Sequence, residues 1–524
     1  MALTPVALVL QIKSAENKGS KVGLSLVYSR ACAGIEAPLI TVEVHLSGGL
    51  PVMSMVGLPE TAVRESKDRV RAALINSGFE FPVSRIVISL APADLPKEGG
   101  GFDLPIALGI LAASDQIPAR ALEGREFLGE LALNGSLRPV RGVLPAALQA
   151  RENGRALMIP ADNEAEAALV KGGNQFFAQS LLQVTDWLNG RSEARRCKPH
   201  KPENPATFPD LSDVIGLPGP RRALEVAAAG GHNLLMVGPP GTGKTLLSSR
   251  LPGILPAMSE RECLETAAVA SVSTKGLDFR DWGIRPFRAP HHSCSSVALA
   301  GGGSRPKPGE VSLAHNGILF LDELPEFNRH ALEILREPLE SGRIVISRAA
   351  MQSTFPARFQ LITAMNPCPC GMAGDNSGRC SCSAEQIQRY RGKISGPLLD
   401  RIDIQVEVMR PDKLILSEPA DNIECSEAVR SRVVESRSLQ IKRAGKPNAM
   451  LDNSDLSSYC HIEGEQLGLL EVAAEKLFLS PRACHRILKV ARTIADLDRA
   501  DDIACEHIAE AIAFRRLQIS NSGV

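Results

Sequence analysis

The groups best suited to chemistry lie in Gly238-Pro239-Pro240-Gly241-Thr242-Gly243-Lys244-Thr245 and, downstream, in Asp322-Glu323. The first run fits G-x-x-x-x-G-K-[ST] at every fixed position. Gly238, Gly241 and Gly243 let the backbone curl until its N–H groups point inward at phosphate oxygens. Lys244 brings positive charge to the β- and γ-phosphates, and Thr245 offers a hydroxyl to Mg²⁺. Asp322 holds the same ion through its water shell, and Glu323 orients or deprotonates the attacking water. Asn366 can align that water against the γ-phosphate. Arg401, in Gly396 to Asp403 (GPLLDRID), is a candidate arginine finger aimed at the nucleotide of a neighbouring subunit. Such a finger is worth ~10³–10⁵ in rate. The chemistry these types describe is hydrolysis of ATP with Mg²⁺. The plainer readings are a ligand-free glycine turn, a chance acid pair and an intramolecular ion pair at Arg401. The order of the motifs along the chain weighs against them.

Three apolar runs must hold these groups: Leu234 to Val237, Gly317 to Leu321 and Phe359 to Ala364. Each suits a buried parallel strand, and ligands sit at the carboxyl ends of such strands. A helix beginning near Lys244 aims its positive end at the phosphates. The expected fold is α/β, with a P-loop core on a parallel sheet. From Glu424 to Ala444 and from Gly464 to Leu517 the apolar residues recur at helical spacing, which predicts a helical C-terminal lid over 411–524. Ser480 and Pro481 read as the N-cap and first position of one of its helices.

Cys368, Cys370, Cys380 and Cys382 form C-x-C-x₉-C-x-C. Four thiolates can close a tetrahedral Zn²⁺ site with no open position, hence a structural one. The polar loop between the pairs has no core of its own, so the metal would order it. Four unligated exposed thiols are the alternative, and such thiols oxidise. The other cysteines are scattered singly, as buried thiols are in a reducing compartment.

A chain of 524 residues with zero formal net charge is long enough for several cores and has no bulk attraction to nucleic acid or membrane. Aromatics make up only 4%, which argues against a base-stacking platform. No stretch is long and apolar enough to span a bilayer. The N-terminus lacks a basic n-region and a cleavage site, so the expected location is cytoplasmic.

Residues 1–190 read as an α+β or α/β domain. Val22 to Val27, Ile40 to Leu46, Val83 to Leu90 and Ala156 to Ile159 suit strands; Thr61 to Ser77 and Leu104 to Ala113 suit helices. Asp94 to Leu108 (DLPKEGGGFDLPIAL) and Leu133 to Leu148 (LNGSLRPVRGVLPAAL) resemble the proteolytic domain of Lon proteases. That family uses a Ser nucleophile activated by Lys. Here the Ser position falls on Gly101, and no lysine occurs between Lys97 and Lys171. Glycine cannot attack a carbonyl, so the resemblance implies a Lon-protease-like fold without peptidase chemistry. A substitute nucleophile at Ser84 or Ser89 is the weaker reading. Lys67, Arg69 and Arg71 are either nucleic-acid contacts or a solvated helix face. Residues 191–209 are basic and proline-rich, and read as a linker.

The segments GPPGTGKT, GEVSLAHNGILFLDEL, MNPCPCG and SGPLLDRID resemble the magnesium-chelatase-type branch of AAA+ ATPases, and within it the ComM/YifB family. The Lon-like region in front of the motor has the same order. The resemblance implies an AAA+ core over 210–410, a lid over 411–524, and a hexameric ring that hydrolyses ATP between subunits. It also implies branch migration of single-stranded or branched DNA in natural transformation, with recombination proteins as partners. The family's second sensor arginine matches Arg482, which could touch the γ-phosphate from the lid. The family's pore loops fall near residues 270–310 and on a hairpin over Gly342 to Phe355. Arg285, Arg288, Arg305, Lys307, Arg343 and Arg348 are the candidate phosphate-gripping residues there. His291, His292 and Cys294 also lie in the first segment, with spacing that suits no common metal site. Two rival functions use the same engine: a chelatase-like or protein-remodelling ATPase, and a nucleotide-gated assembly protein that translocates nothing.

Overall fold

The computed structural model describes residues 23–32, 34–57, 61–95, 97, 99–198, 207–303, 306–348, 351–374, 379–409 and 423–515. They fall into two compact units, the first of the residues up to 198 together with Lys275–Leu277, the second of residues 207–274 and those from 278 onward.

The first unit is built on an eight-stranded mixed sheet. Its order is Arg195–Arg196, Asn174–Ala178, Ala156–Pro160, Arg125–Phe127, Gly23–Arg30, Leu39–Ser47, Arg85–Ala91, Met53–Val56. Leu39–Ser47 alternates strictly, burying Ile40, Val42, Val44 and Leu46 on one face. That alternation fixes its antiparallel register, from Gly23 opposite Leu46 to Arg30 opposite Leu39. Against this face packs the helix Asp103–Ala113, every residue of which is buried. Helix Thr61–Asn76 adds Val63, Val70, Ala73 and Leu74 to the same core. The four expected strands and both expected helices of this unit are present.

The second unit carries five parallel strands, in the order Phe287–Arg288, Ile318–Leu321, Gln360–Met365, Leu234–Val237, Ile404–Glu407. The three central strands are buried along their whole length, which explains their uninterrupted apolar runs. All five point their carboxyl ends the same way, so the loops that follow them gather on one edge. The C-terminal helices Ser426–Ala444, Pro481–Leu497 and Cys505–Ala513 share one apolar core with the sheet: Val433, Ile487, Ile494 and Ile508 join Leu234, Met236 and Ile362. Ser480 caps its helix as expected, its hydroxyl accepting from the Ala483 N–H at 3.2 Å, with Pro481 in the first turn. Among the described residues, no helix is long and apolar enough to cross a membrane.

Candidate active site

Leu234–Val237 ends in the glycine-rich loop. Gly241 and Gly243 have φ of 77° and 91°, where a side chain would be strained. Gly238 is needed for a different reason: a Cβ there would stand 2.1 Å from the Val408 carbonyl oxygen. The loop walls a cleft of about 400 Å³, lined by Pro240 to Leu246, Asp322, Glu323, Met365 and Asn366. That volume is in the range of small-molecule sites. Thr242 closes the loop on itself, its hydroxyl donating to the Pro239 carbonyl at 3.0 Å.

The Lys244 ammonium donates to the carbonyls of Gly238 (2.6 Å) and Pro239 (2.8 Å) and to Asn366 Oδ1 (3.3 Å). Burial pulls its pKa down, and the charges of Asp322 and Glu323 oppose that pull. The cation is thus held at the cleft on borrowed acceptors that phosphate oxygens can replace. Thr245 Oγ1 donates to Asp322 Oδ2 at 2.7 Å, which joins the two residues suited to Mg²⁺. Glu323 adopts the left-handed conformation, with φ of 53°, which is uncommon for a non-glycine residue. Its N–H donates to Asp322 Oδ1 at 2.9 Å, and its Oε2 lies 3.1 Å from His292 Nδ1. The sequence reading grouped His292 with loop and metal candidates and missed this pairing with the candidate base. The one available signal was its position shortly after an apolar Phe287.

Arg401 does not line this cleft. Its side chain is 8% exposed, pairs with Glu340, and donates from Nη1 to the Pro397 carbonyl at 2.6 Å. It borders a second cavity of about 180 Å³ with Glu340, Arg482, His485, Arg486 and Lys489. Arg482, expected to touch a γ-phosphate from the lid, does not line this cleft either. It stands in the Arg401 cavity because its helix is tied to the far side of the sheet. Arg486 of that helix pairs with Asp403, and Thr493 Oγ1 lies 2.8 Å from His232 Nε2.

Two of the candidate DNA residues are paired within the chain. Phe287–Arg288 is a sheet edge, parallel to Ile318–Leu321, and not part of an open loop. Arg285 spends its guanidinium on Glu262 (3.1 Å) and on the carbonyls of Pro256 (2.8 Å) and Asn316 (2.6 Å). Arg288 makes a two-pronged pair with Glu310, at 2.6 and 2.8 Å. Lys307 lies on a short hairpin against Gly301–Gly302. Arg343 is exposed at the start of the expected hairpin, Arg343–Arg348 against Met351–Pro356. Arg305 and the side chain of Arg348 lie outside the described residues.

Cys368, Cys370, Cys380 and Cys382 converge, with all four Sγ atoms within 4.8 Å of one another. Cys368 Sγ stands 3.3 Å from Cys370 Sγ and 3.8 Å from Cys380 Sγ. Tetrahedral Zn–S bonds of about 2.3 Å put sulfurs about 3.8 Å apart, so the donor set fits Zn²⁺. The Met372 N–H holds the Cys370 thiol down at about 6, while the Cys380 and Cys382 thiols facing it are shifted up. The cluster abuts the cleft: a Cβ on Gly371 would lie 2.7 Å from Pro240 Cδ.

In the first unit, the glycine at the Lon nucleophile position is not forced by crowding. A Cβ on Gly101 would meet only Leu128 and Val140, at 3.8 and 3.9 Å. Ser84 Oγ is buried without a hydrogen-bond partner among the described residues, so no base stands ready there. Arg69, one of the nucleic-acid candidates, donates from Nε to the buried Asp103 at 2.7 Å. Arg71 stacks over Phe81, 5.2 Å from the ring centroid. Both are structural side chains in this setting.

Three family models match the chain. Magnesium chelatase, subunit ChlI, matches residues 210–414; subunit ChlI of Mg-chelatase matches 42–163; the C-terminal part of magnesium chelatase subunit ChlI matches 423–515. The chain is 52% identical over 499 residues to Competence protein ComM of Haemophilus influenzae, covering 94% of this chain and 98% of that protein. It is 51% identical over 494 residues to the protein YifB of Escherichia coli K12, covering 94% and 97%. It is 26% identical over 222 residues to the magnesium-chelatase 38 kDa subunit of Cereibacter sphaeroides, covering 39% and 59%.

Proposed function

The chain belongs to the ComM/YifB family of magnesium-chelatase-like AAA+ proteins, and from that membership we propose that it is an ATP-hydrolysing ring motor that moves branched DNA. The observation that carries the reading is the convergence of Lys244, Thr245, Asp322, Glu323 and Asn366 on one open cleft, while Arg401 and Arg482 share a separate cavity. In this reading the backbone loop receives the triphosphate, and Lys244 shifts from the Gly238 and Pro239 carbonyls to the β- and γ-phosphates. Thr245 and Asp322 would hold Mg²⁺, which would supply positive charge beside the phosphates. Glu323 takes the proton of the attacking water, and Asn366 fixes that water in line. Arg401 and Arg482 act on the nucleotide of the next subunit, which accounts for their distance from their own cradle. A hexamer is the proposed assembly.

The relative named Competence protein ComM supports a role in natural transformation, where migration of a DNA branch extends the integration of incoming single strands. Recombination proteins are the proposed partners. Lys307 and Arg343, each on a pair of short strands, are proposed phosphate-gripping residues, together with Arg305 and Arg348; Arg285 and Arg288 are already ion-paired within the chain. The four-cysteine loop is a proposed structural Zn²⁺ site. A chelatase-like load is the second reading, and the match to the 38 kDa chelatase subunit favours it. ATP-dependent strand exchange on a synthetic four-way junction tests the proposal. Exchange by the wild type and none by Glu323→Gln supports it; ATP turnover without exchange or DNA stimulation moves the reading to another load.

A further inference from the structure

Asp403 is buried between the sheet and the lid, and none of the steps above uses it. Its Oδ1 pairs with Arg486 Nη1 of helix Pro481–Leu497. Its Oδ2 accepts from the Asn233 N–H at 3.0 Å and lies 3.6 Å from His232 Nδ1. The groups that Asp403 engages reach back to one atom. Arg486 Nη1 also donates to the Arg401 carbonyl at 3.2 Å, and Asn233 Nδ2 donates to the same carbonyl at 2.9 Å. Two donors, both bound to Asp403, therefore fix the backbone of Arg401. Arg482 lies four residues before Arg486, on the same helix face, so the Asp403 pair also sets the rotation at which Arg482 enters the shared cavity. Asn233 is not an incidental member. It immediately precedes the strand that leads into the phosphate loop, and its Oδ1 accepts from Leu361 N at 2.9 Å, in the strand Gln360–Met365 that leads to Asn366.

We propose that Asp403 is a positioning residue: through Arg486 and Asn233 it holds Arg401 and Arg482 at the angle from which they meet the nucleotide of the next subunit. The inference rests on the reading that these arginines act between subunits. Because Asn233 belongs to the strand of the chain's own cradle, the same network ties the state of one nucleotide site to the arginines offered to the next. A purely structural clip between sheet and lid would instead damage the chain's own cradle.

Mixed assemblies separate these cases. Lys244→Ala subunits have a dead cradle but offer intact arginines; Arg401→Ala subunits have a live cradle and no finger. Mixing these two tests the underlying reading, and turnover above either variant alone is expected. Mixing Lys244→Ala with Asp403→Asn tests the inference. Asp403→Asn alone is expected to bind a fluorescent ATP analogue as wild type does and to turn over ~10²-fold more slowly, the scale of a small misplacement. Its turnover should recover on mixing, because the Lys244→Ala partner supplies well-held arginines to its sound cradle. Recovery with Arg401→Ala but none with Asp403→Asn overturns the inference and leaves the reading intact. Recovery with neither overturns the reading itself. If Asp403→Asn does not bind ATP, Arg486→Met takes its place in the same mixture, with Arg486→Lys expected to retain more turnover than Arg486→Met. Loss of ATP binding in both Asp403→Asn and Arg486→Met shows a role in the chain's own cradle and rejects the proposal.

Discussion

The two units put similar residues to opposite uses. In the first, charged side chains are sealed in and satisfied: Arg30 makes a two-pronged pair with Glu126, both at most 3% exposed, and Asp103 is held by Ser66 and Arg69. In the second, Lys244, Thr245, Asp322 and Glu323 meet at an open cleft on contacts that a ligand can take over. The same carboxylates and cations make a scaffold where they are buried and paired, and a site where they face a cavity. The first unit also has glycine where its resemblance calls for a nucleophile, though a Cβ would fit there. The Lon-type nucleophile is missing at the level of residue type rather than excluded by crowding.

Substitutions can break this contrast. The largest effect is expected at Arg401: Arg401→Ala should lower turnover by ~10³–10⁵ while leaving ATP binding in place. Steady-state hydrolysis beside nucleotide titration measures it, and an unchanged rate removes Arg401 from the reaction. Glu323→Gln should lower kcat by ~10²–10⁴ with tight ATP binding retained. A rate near wild type would assign the base elsewhere. In the first unit the readout changes from rate to stability. Arg30→Ala leaves the buried Glu126 carboxylate to Arg155, 3.5 Å away, at a cost of about 3 kcal/mol in denaturant unfolding, with the nucleotide affinity of the second unit unaltered. If nucleotide affinity falls as well, the effect of Arg30→Ala is not confined to the stability of the first unit.

Smaller effects sharpen the picture. Metal analysis should find one Zn²⁺ per chain, and Cys380→Ser should remove it and expose the 368–382 loop to proteolysis. A metal-free protein with an equally protected loop rejects the site. The smallest effect concerns acid. Glu265 is held down at about 2, first by its hydrogen bond from His315. A depressed carboxylate contributes stability above its unfolded value of about 4.5 and loses it as pH falls toward 2. Glu265→Gln should therefore flatten the stability profile between about pH 5 and 2, by less than ~1 kcal/mol because the pair is partly exposed. An unchanged slope would exclude it.

Much of the second unit was legible in the chain. Four-residue apolar runs ending in Gly238 and in Asp322 gave the strands and the edge they share, because buried parallel strands need no polar alternation. The cap at Ser480 and the cysteine spacing were equally local. What stayed hidden was long-range. Phe287–Arg288 is two residues long and shows no period, so its arginines read as loop cations until Glu310 and Glu262 appeared beside them. His292 reaches Glu323 across 31 positions of sequence, and the helix that carries Arg482 is held by a pair made one turn further on, at Arg486. No spacing rule encodes such partners.

ATP turnover per chain, followed as protein concentration rises, tests the central claim most directly. A site completed by the neighbour's arginine predicts activity that climbs with assembly, reaches a plateau, and stays near zero at every concentration in Arg401→Ala. Full specific activity from isolated chains, unaltered by assembly, would contradict it.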